Sequence, residues 1–413
     1  MDFDLILREV RLPEAKPGEP AVDIGVAGGR IAAIAPALPG AAREEARGEG
    51  RLACAGFVET HIHLDKSCIL ARCACEAQRH PHRAMERVSD VKHTFTVEDV
   101  TARAAGTLEN CIRHGATRMR THVEVDPKVG LRGIEGVKAL IERYRWAIDL
   151  EICVMPQEGL TNNPGTDELM VAALRSGATV VGAAPNYDSD RAAQIRRVFE
   201  MAREFDVDID MHLDSGITAD DLDTLLVCEL TERYGWGGRV AVGHVTKLAA
   251  ADPARLQQAA KRMADAGVAL TVLTATDLYL GGRHMTRDVP RNVVDANALA
   301  EQGVLCSVAS NNILNPFTPF GDGQLLRQAN MQAIVTHRGK DEEVRAIFDM
   351  TTKDAARLMR LDDYGVAVGN PADLVVLDAE TPEMALRTVA PVLAAFKRGR
   401  RTVTRERARL HGP

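Results

Sequence analysis

The 413-residue sequence predicts an α/β fold, a (β/α)8 TIM barrel with a small β-sandwich built from both termini. Three observations carry that expectation. Eight short β-branched runs alternate with helical patterns, glycines close several of those helices, and both ends of the chain revert to strand-like alternation.

The runs are "FVETHIHL", "ATRMRTHVEV", "DLEICVMPQ", "ATVVGAAPN", "DVDIDMHLD", "RVAVGHVT", "VALTVLTAT" and "GVLCSVASN". Between several of them lies an amphipathic helical pattern, and Gly115, Gly177, Gly267 and Gly303 each stand just before the next run. Glycine accepts the left-handed conformation that ends a helix. Strands and helices in alternation imply parallel βα units, and eight of them imply a closed barrel. Up to about Arg51 the pattern is that of β-hairpins, with Gly28-Gly29 as the turn between "AVDIGVA" and "RIAAIAP". After Tyr364 strands return in "GVAVGNPADLVVLDA" and "LAAFKRGRRTVT". The expected division is therefore 1–52 and 363–413 for the two parts of the sandwich and 53–362 for the barrel.

Composition narrows the function. The net charge is −7 with signs mixed throughout, so there is no basic footprint for nucleic acid. The Arg-rich tail "FKRGRRTVTRERAR" reads as a solvated terminal segment. No apolar run approaches a membrane span, and "MDFDLILREV" lacks a signal-peptide pattern. Eight scattered cysteines fit a reducing cytoplasm better than a disulfide framework. A cytoplasmic protein acting on a small molecule is expected, with a homo-oligomer left open. The segment from Cys68 to His82 holds three cysteines and two histidines but no paired CxxC, so no second metal site is expected there.

Chemistry enters at the ends of the runs. They close, in order, on His61 and His63; His122 and Glu124; Gln157 and Glu158; Asn186; His212 and Asp214; His244 and Thr246; Thr276 and Asp277; Asn311 and Asn312. Active sites of such barrels are built at the C-terminal ends of the strands. In a strand, residues i and i+2 share a face, so His61 and His63 project together. One histidine at such a position is ordinarily a satisfied core residue. Histidines closing runs one, two, five and six are hard to assign to packing, and they suit a metal ion.

The stretches "GFVETHIHLDK", "RTHVEVD", "MPQEG", "DIDMHLD", "VGHVTKL", "NPFTPFGDG" and "YGVAVGNPADLVVLD" spread from about residue 50 to 380. They resemble the amidohydrolase superfamily, and within it the branch of bacterial cytosine deaminases and N-isopropylammelide hydrolases. The resemblance implies that His61, His63 and His212 bind one divalent metal ion, zinc or iron. It implies that His244 orients the attacking water and that Gln157 contacts the polar edge of a bound ring. His122, Asn312 and Phe317 join Gln157 as candidate substrate contacts. Binuclear relatives carry a carboxylated lysine on strand four, and "ATVVGAAPN" has no lysine, so a single metal is expected. Three neutral imidazoles with an open position form the ligand set of a water-activating site.

Two departures from the resembled pattern matter. Strand eight, "SVASNNILNPF", puts Asn311 where the family has an aspartate that binds the metal and takes the proton from water. Asn311 keeps that catalytic position as a candidate, yet an amide nitrogen is not basic. Strand five, "HLDS", has Ser215 where cytosine deaminases carry a proton-donating glutamate. The nearest replacements by position are Asp214, Asp277, Glu124 and His244. His244 ranks first, because histidine is the side chain that ordinarily titrates near neutral pH. Asp214 faces away under strict alternation, and Asp277 reads equally well as a loop acid or a solvated carboxylate. Phe317, Phe320, Tyr279 and Trp236 hint at a planar ligand or serve structure alone. The expected function is a mononuclear metal hydrolase for C–N bonds, not peptide bonds, of a small cyclic amide or amino-substituted N-heterocycle. The alternative is an altered member of the same fold that binds a small ligand without hydrolysis.

Overall fold

A computed structural model describes residues 3–16, 18–75 and 82–412. Its central sheet has eight parallel strands: β1 (Phe57–Ile62), β2 (Ala116–Glu124), β3 (Asp149–Met155), β4 (Val180–Val181), β5 (Asp208–Leu213), β6 (Val240–His244), β7 (Val268–Val272) and β8 (Cys306–Val308). They neighbour one another in chain order. The barrel closes just past β8, where Asn311 N donates to His61 O at 2.8 Å and His63 N donates to Asn311 O at 3.0 Å. The closing seam therefore runs through two of the expected metal ligands.

Each run becomes a strand for a local reason. β2 is buried along its whole length, as a parallel strand covered on both faces must be. β4 is the shortest, and its small residues carry the pairing onward: Gly182 N donates to Val154 O and His212 N to Ala183 O, both at 2.8 Å. A Cβ on Gly182 would sit 2.6 Å from Asp210 O, so only glycine lets the backbone approach β5 there. Helices return each strand to the next. The helix Val97–Arg113 buries Val100, Ala104, Leu108 and Cys111 on one face, the spacing of an apolar stripe. Thr96 caps it by accepting from Asp99 N.

The seventh unit departs from the expectation. The run "VALTVLTAT" does not stay extended to Thr276: the strand stops at Val272 and a short helix spans Thr274–Leu280. Thr274 Oγ1 donates to Gln332 Oε1 at 2.7 Å, which ties the turn to a neighbouring helix. That helix carries Asp277 inward, where it is buried rather than solvated.

Two small sheets flank the barrel. One has the order Arg30–Ala35, Val22–Ala27, Phe3–Val10, Ala42–Arg47, and the other the order Arg400–Thr404, Val392–Lys397, Leu374–Leu377, Leu52–Ala55. They share a core that includes Leu5, Leu7, Ile24, Val26, Leu374, Val376 and Phe396. Residue 52, the expected edge of the N-terminal part, begins the strand that pairs with Leu374–Leu377. The Arg-rich tail supplies part of the last hairpin, with the Arg401 guanidinium 5.1 Å from the Phe396 ring centre. Among the described residues no helix is long and apolar enough to cross a membrane. His80, part of the Cys68–His82 segment, lies outside the described residues.

Candidate active site

His61, His63 and His212 meet at the C-terminal mouth of the barrel. His212 Nε2 lies 3.0 Å from His61 Nε2 and 3.0 Å from His63 Nε2. A neutral imidazole nitrogen serves one hydrogen bond, as donor or as acceptor, so His212 Nε2 cannot satisfy both neighbours by hydrogen bonding. A cation placed among three lone pairs does satisfy them. The Nδ1 atoms of all three rings are buried without a hydrogen-bond partner. Burial, helped by His122, pushes His61 down to about 3. Burial, with nearby Lys66 and the other imidazoles, holds His63 well below the ordinary histidine value. Burial and the neighbouring imidazoles do the same for His212. Neutral imidazoles are what a divalent metal needs, and the residues present fit one.

His122 enlarges the cluster. Its ring stacks on His61 with centres 3.7 Å apart, and His61, His122 and His212 offer ligand atoms within 4.8 Å of one another. His63 and His212 reach the cavity wall, while His61 and His122 lie off it. Below them Asp210 Oδ1 lies 3.4 Å from His122 Nε2 and 3.7 Å from His61 Nδ1. These distances are too long for hydrogen bonds but short enough for the charge to orient both rings. Arg120 Nη1 holds the other oxygen of Asp210 at 2.9 Å and its Nε reaches Glu151 at 2.6 Å. Burial alone would raise the Asp210 carboxyl; His122, His61 and Arg120 instead hold it well below its usual range.

The depressed histidines give a signed prediction. Their folded values lie below the unfolded value of about 6.5, so acidification protonates the unfolded chain first. Chelator-stripped protein should lose stability progressively as pH falls below about 6.5, with the His61 contribution gone near pH 3. Urea midpoints at pH 7.5 and 5.5, with and without restored metal, check this. The midpoint should drop on acidification with or without metal, and at least as steeply with it, because metal-bound imidazoles exclude protons at least as strongly as empty ones.

His244 ends β6 with φ of 71° and Val245 follows at 48°. Non-glycine residues in this region are strained by about 1–3 kcal/mol each and gather at functional sites. Asp214 (47°) and Asn311 (61°) share the conformation at neighbouring strand ends. Just before His244, Gly243 leaves room for the His61 ring: a Cβ there would meet His61 Cε1 at 3.2 Å. The His244 ring centre is 5.4 Å from that of His212. Its Nδ1 lies 2.5 Å from Asp277 Oδ1. That contact fixes the tautomer, with hydrogen on Nδ1 and a lone pair on Nε2.

These groups border a cavity of about 200 Å³. His63, His212, His244 and Asp277 lie on its wall with Gln157, Asn186, Ser215, Asn312, Phe317 and Leu280. No lysine or arginine lines it among the described residues. The wall suits a small neutral ring with polar edges.

Residues 143–403 match the amidohydrolase family profile. The chain belongs to the amidohydrolase family. An N-isopropylammelide isopropyl amidohydrolase of Pseudomonas sp. strain ADP is 27% identical to this amidohydrolase over 412 residues, covering 97% of each chain. A pterin deaminase of Rhizobium rhizogenes is 28% identical over 365 residues, 86% of this chain and 82% of that one. The solved 5-methylcytosine deaminase of Klebsiella pneumoniae, liganded with 5-fluorocytosine, superposes with a TM-score of 0.93 at 27% identity and 99% coverage of both chains.

Within this amidohydrolase the remaining candidates separate. Gln157, Asn312 and Phe317 lie on the cavity wall, whereas His122 is fully buried behind His61. Asn311 sits on the closing seam; its Oδ1 accepts from Asn312 Nδ2 at 2.9 Å and its Nδ2 is buried without a partner. Phe320 packs edge-on against Tyr279 and is 65% exposed, and Trp236 stacks with Arg239 before β6. Glu124 pairs with Lys66 and Lys92. Burial pushes its carboxyl up, and those two ammonium groups more than reverse this, leaving it below its ordinary value.

Asp214 faces away from the cavity, as alternation suggested, and works on the next helix. Its oxygens accept from Asp223 N (2.9 Å), Thr224 N (2.9 Å) and Thr224 Oγ1 (2.6 Å) at the start of Asp223–Tyr234. Asp214→Ala should therefore cost about 1–3 kcal/mol in denaturant unfolding while leaving metal content unchanged. The sequence reading missed Lys66, Asp210 and Asn315. Lys66 stood in the quoted "HLDK", and Asn315, which holds Phe317 N at 3.0 Å, in "NPFTPF". Asp210 had a signal too, two residues before His212 on the same face.

Proposed function

We propose that this amidohydrolase is a mononuclear metal-dependent hydrolase that breaks a C–N bond, other than a peptide bond, in a small neutral N-heterocycle or cyclic amide. The observation that carries it is the approach of His61 Nε2 and His63 Nε2 to His212 Nε2, each at 3.0 Å, beside a small cavity with no lysine or arginine on its wall among the described residues. A divalent ion, zinc or iron, held by His61, His63 and His212 supplies the Lewis acidity that makes water a nucleophile near neutral pH. The relatives named above, acting on N-isopropylammelide, pterin and 5-methylcytosine by name, support the same class of bond and ring.

The chain's own residues handle the proton. Asp277 accepts the Nδ1 hydrogen of His244, leaving Nε2 free to take a proton from the attacking water. Its carboxylate stabilises the imidazolium so formed, the part that an acid plays behind a catalytic histidine. The imidazolium then gives the proton to the departing nitrogen, so one group serves as base and acid in turn. This dyad stands in for both carboxylates replaced by Asn311 and Ser215. Gln157 and Asn186 meet the polar edge of the ring, and Phe317 and Leu280 flank its face.

Purified protein loaded with zinc or iron should release ammonia or an amine from members of a panel of amino-pyrimidinones, pterins and amino-triazines. Chelation should stop it. Ligand-induced stabilisation across the panel without any release would favour the binding-only alternative that Asn311 raised.

A further inference from the structure

Lys66 lies fully buried beneath the cavity wall and does not line it. Its ammonium reaches Gln157 Oε1 at 2.8 Å and Glu124 Oε2 at 3.3 Å, and stands 5.2 Å from the centre of the Phe317 ring. An ammonium only donates, so the amide it touches must present oxygen to it. That decides which way Gln157 faces: Oε1 inward to Lys66, Nε2 toward the cavity. Among the described residues no protein group accepts from Nε2, and Nε2 is not among the buried atoms lacking a partner. Asn186 is turned the opposite way, because its Nδ2 donates to Ser215 O at 3.0 Å and leaves Oδ1 uncommitted.

We propose that Lys66 is a positioning residue that sets the polarity of substrate recognition. By occupying Gln157 Oε1 it makes Gln157 a donor, and the ring in the cavity presents a carbonyl oxygen or unprotonated ring nitrogen to Nε2. Without Lys66, glutamine reads donors and acceptors alike by rotating its amide. With it, an exocyclic amino group at that edge meets an N–H and is rejected. The substrate class narrows to rings with an oxo or bare-nitrogen edge beside the wall of β3, with an N–H directed at Asn186. The inference rests on the reading of the cavity as a heterocycle site.

The test compares two neutral six-membered rings of one shape, pyridin-2-one, which presents an oxo edge, and aniline, which presents an amino edge and no ring nitrogen, binding to the metal-loaded protein by calorimetry, with mass spectrometry confirming that each ring stays intact. The wild type should prefer the oxo ring by about tenfold or more. Lys66→Met should bring the ratio toward unity. Gln157→Glu keeps the contact with Lys66 but offers the cavity an acceptor, so the preference should invert; this variant carries the test if Lys66→Met does not fold. A purely structural lysine would change both affinities together and leave their ratio fixed. An unchanged ratio in Lys66→Met, or no inversion in Gln157→Glu, overturns the proposal while leaving the heterocycle reading intact. Failure of both rings to bind the wild type overturns that reading and this proposal with it.

Discussion

Asp277→Asn should lower kcat by about 10²–10⁴-fold with metal content and folding unchanged. The expectation follows from the 2.5 Å contact between Asp277 Oδ1 and His244 Nδ1. An amide in place of the carboxylate can turn its NH2 toward Nδ1, which puts the hydrogen on Nε2 and removes the base. Even in the other orientation it carries no charge to stabilise the imidazolium. His244→Asn should cost about as much, and the double variant little more, because groups acting as a unit are not additive. Steady-state kinetics on the substrate found by the ammonia screen, beside metal analysis of the same preparations, checks both points. A loss of less than tenfold in Asp277→Asn would place the proton carrier elsewhere.

His212→Ala should empty the metal site and reduce turnover to background. His212 Nε2 is the atom common to both 3.0 Å contacts, so its removal leaves His61 and His63 without the ligand that joins them. The residue is half-buried, with its ring on the cavity wall, and part of the loss will appear as stability. Deleting a buried ring costs about 3–5 kcal/mol in general, some of which is offset here because crowded neutral imidazoles are relieved. A variant that folds, lacks metal and lacks turnover is the expected outcome by circular dichroism, elemental analysis and ammonia release together.

The barrel was legible because its signal is repeated. Eight β-branched runs with glycines closing the intervening helices leave few alternatives, and the polar residues fall at the strand ends where such barrels build their sites. The histidines were legible because strand alternation puts His61 and His63 on one face. The sequence was less informative where a side chain's role depends on the next element. "VALTVLTAT" reads as one strand, yet it breaks after Val272, and only that break brings Asp277 to His244. His122 obeys the same strand-end rule as His61, but its ring stacks on that of His61 and, like it, lies off the cavity wall. Lys66 is visible in the motif, while its partner Gln157 is 91 residues away in the chain, a pairing that no local pattern encodes.

The replacement of two carboxylates need not end catalysis on this fold. Asn311 retains a backbone task, bridging His61 O and His63 N across the closing seam, which any residue able to hold a φ of 61° can perform. Asparagine adopts that conformation more readily than most side chains. In the proposed mechanism proton transfer passes to the histidine–aspartate pair on β6 and the helix after β7, which leaves the position on β8 free to be neutral.

The measurement that tests the central claim most directly is metal content per chain, by elemental analysis, on the wild type beside His212→Ala and Asp277→Asn. The account predicts close to one zinc or iron per chain in the wild type and in Asp277→Asn, and none in His212→Ala. A wild-type protein that is metal-free and resists reloading, or a folded His212→Ala that keeps its metal, would contradict it.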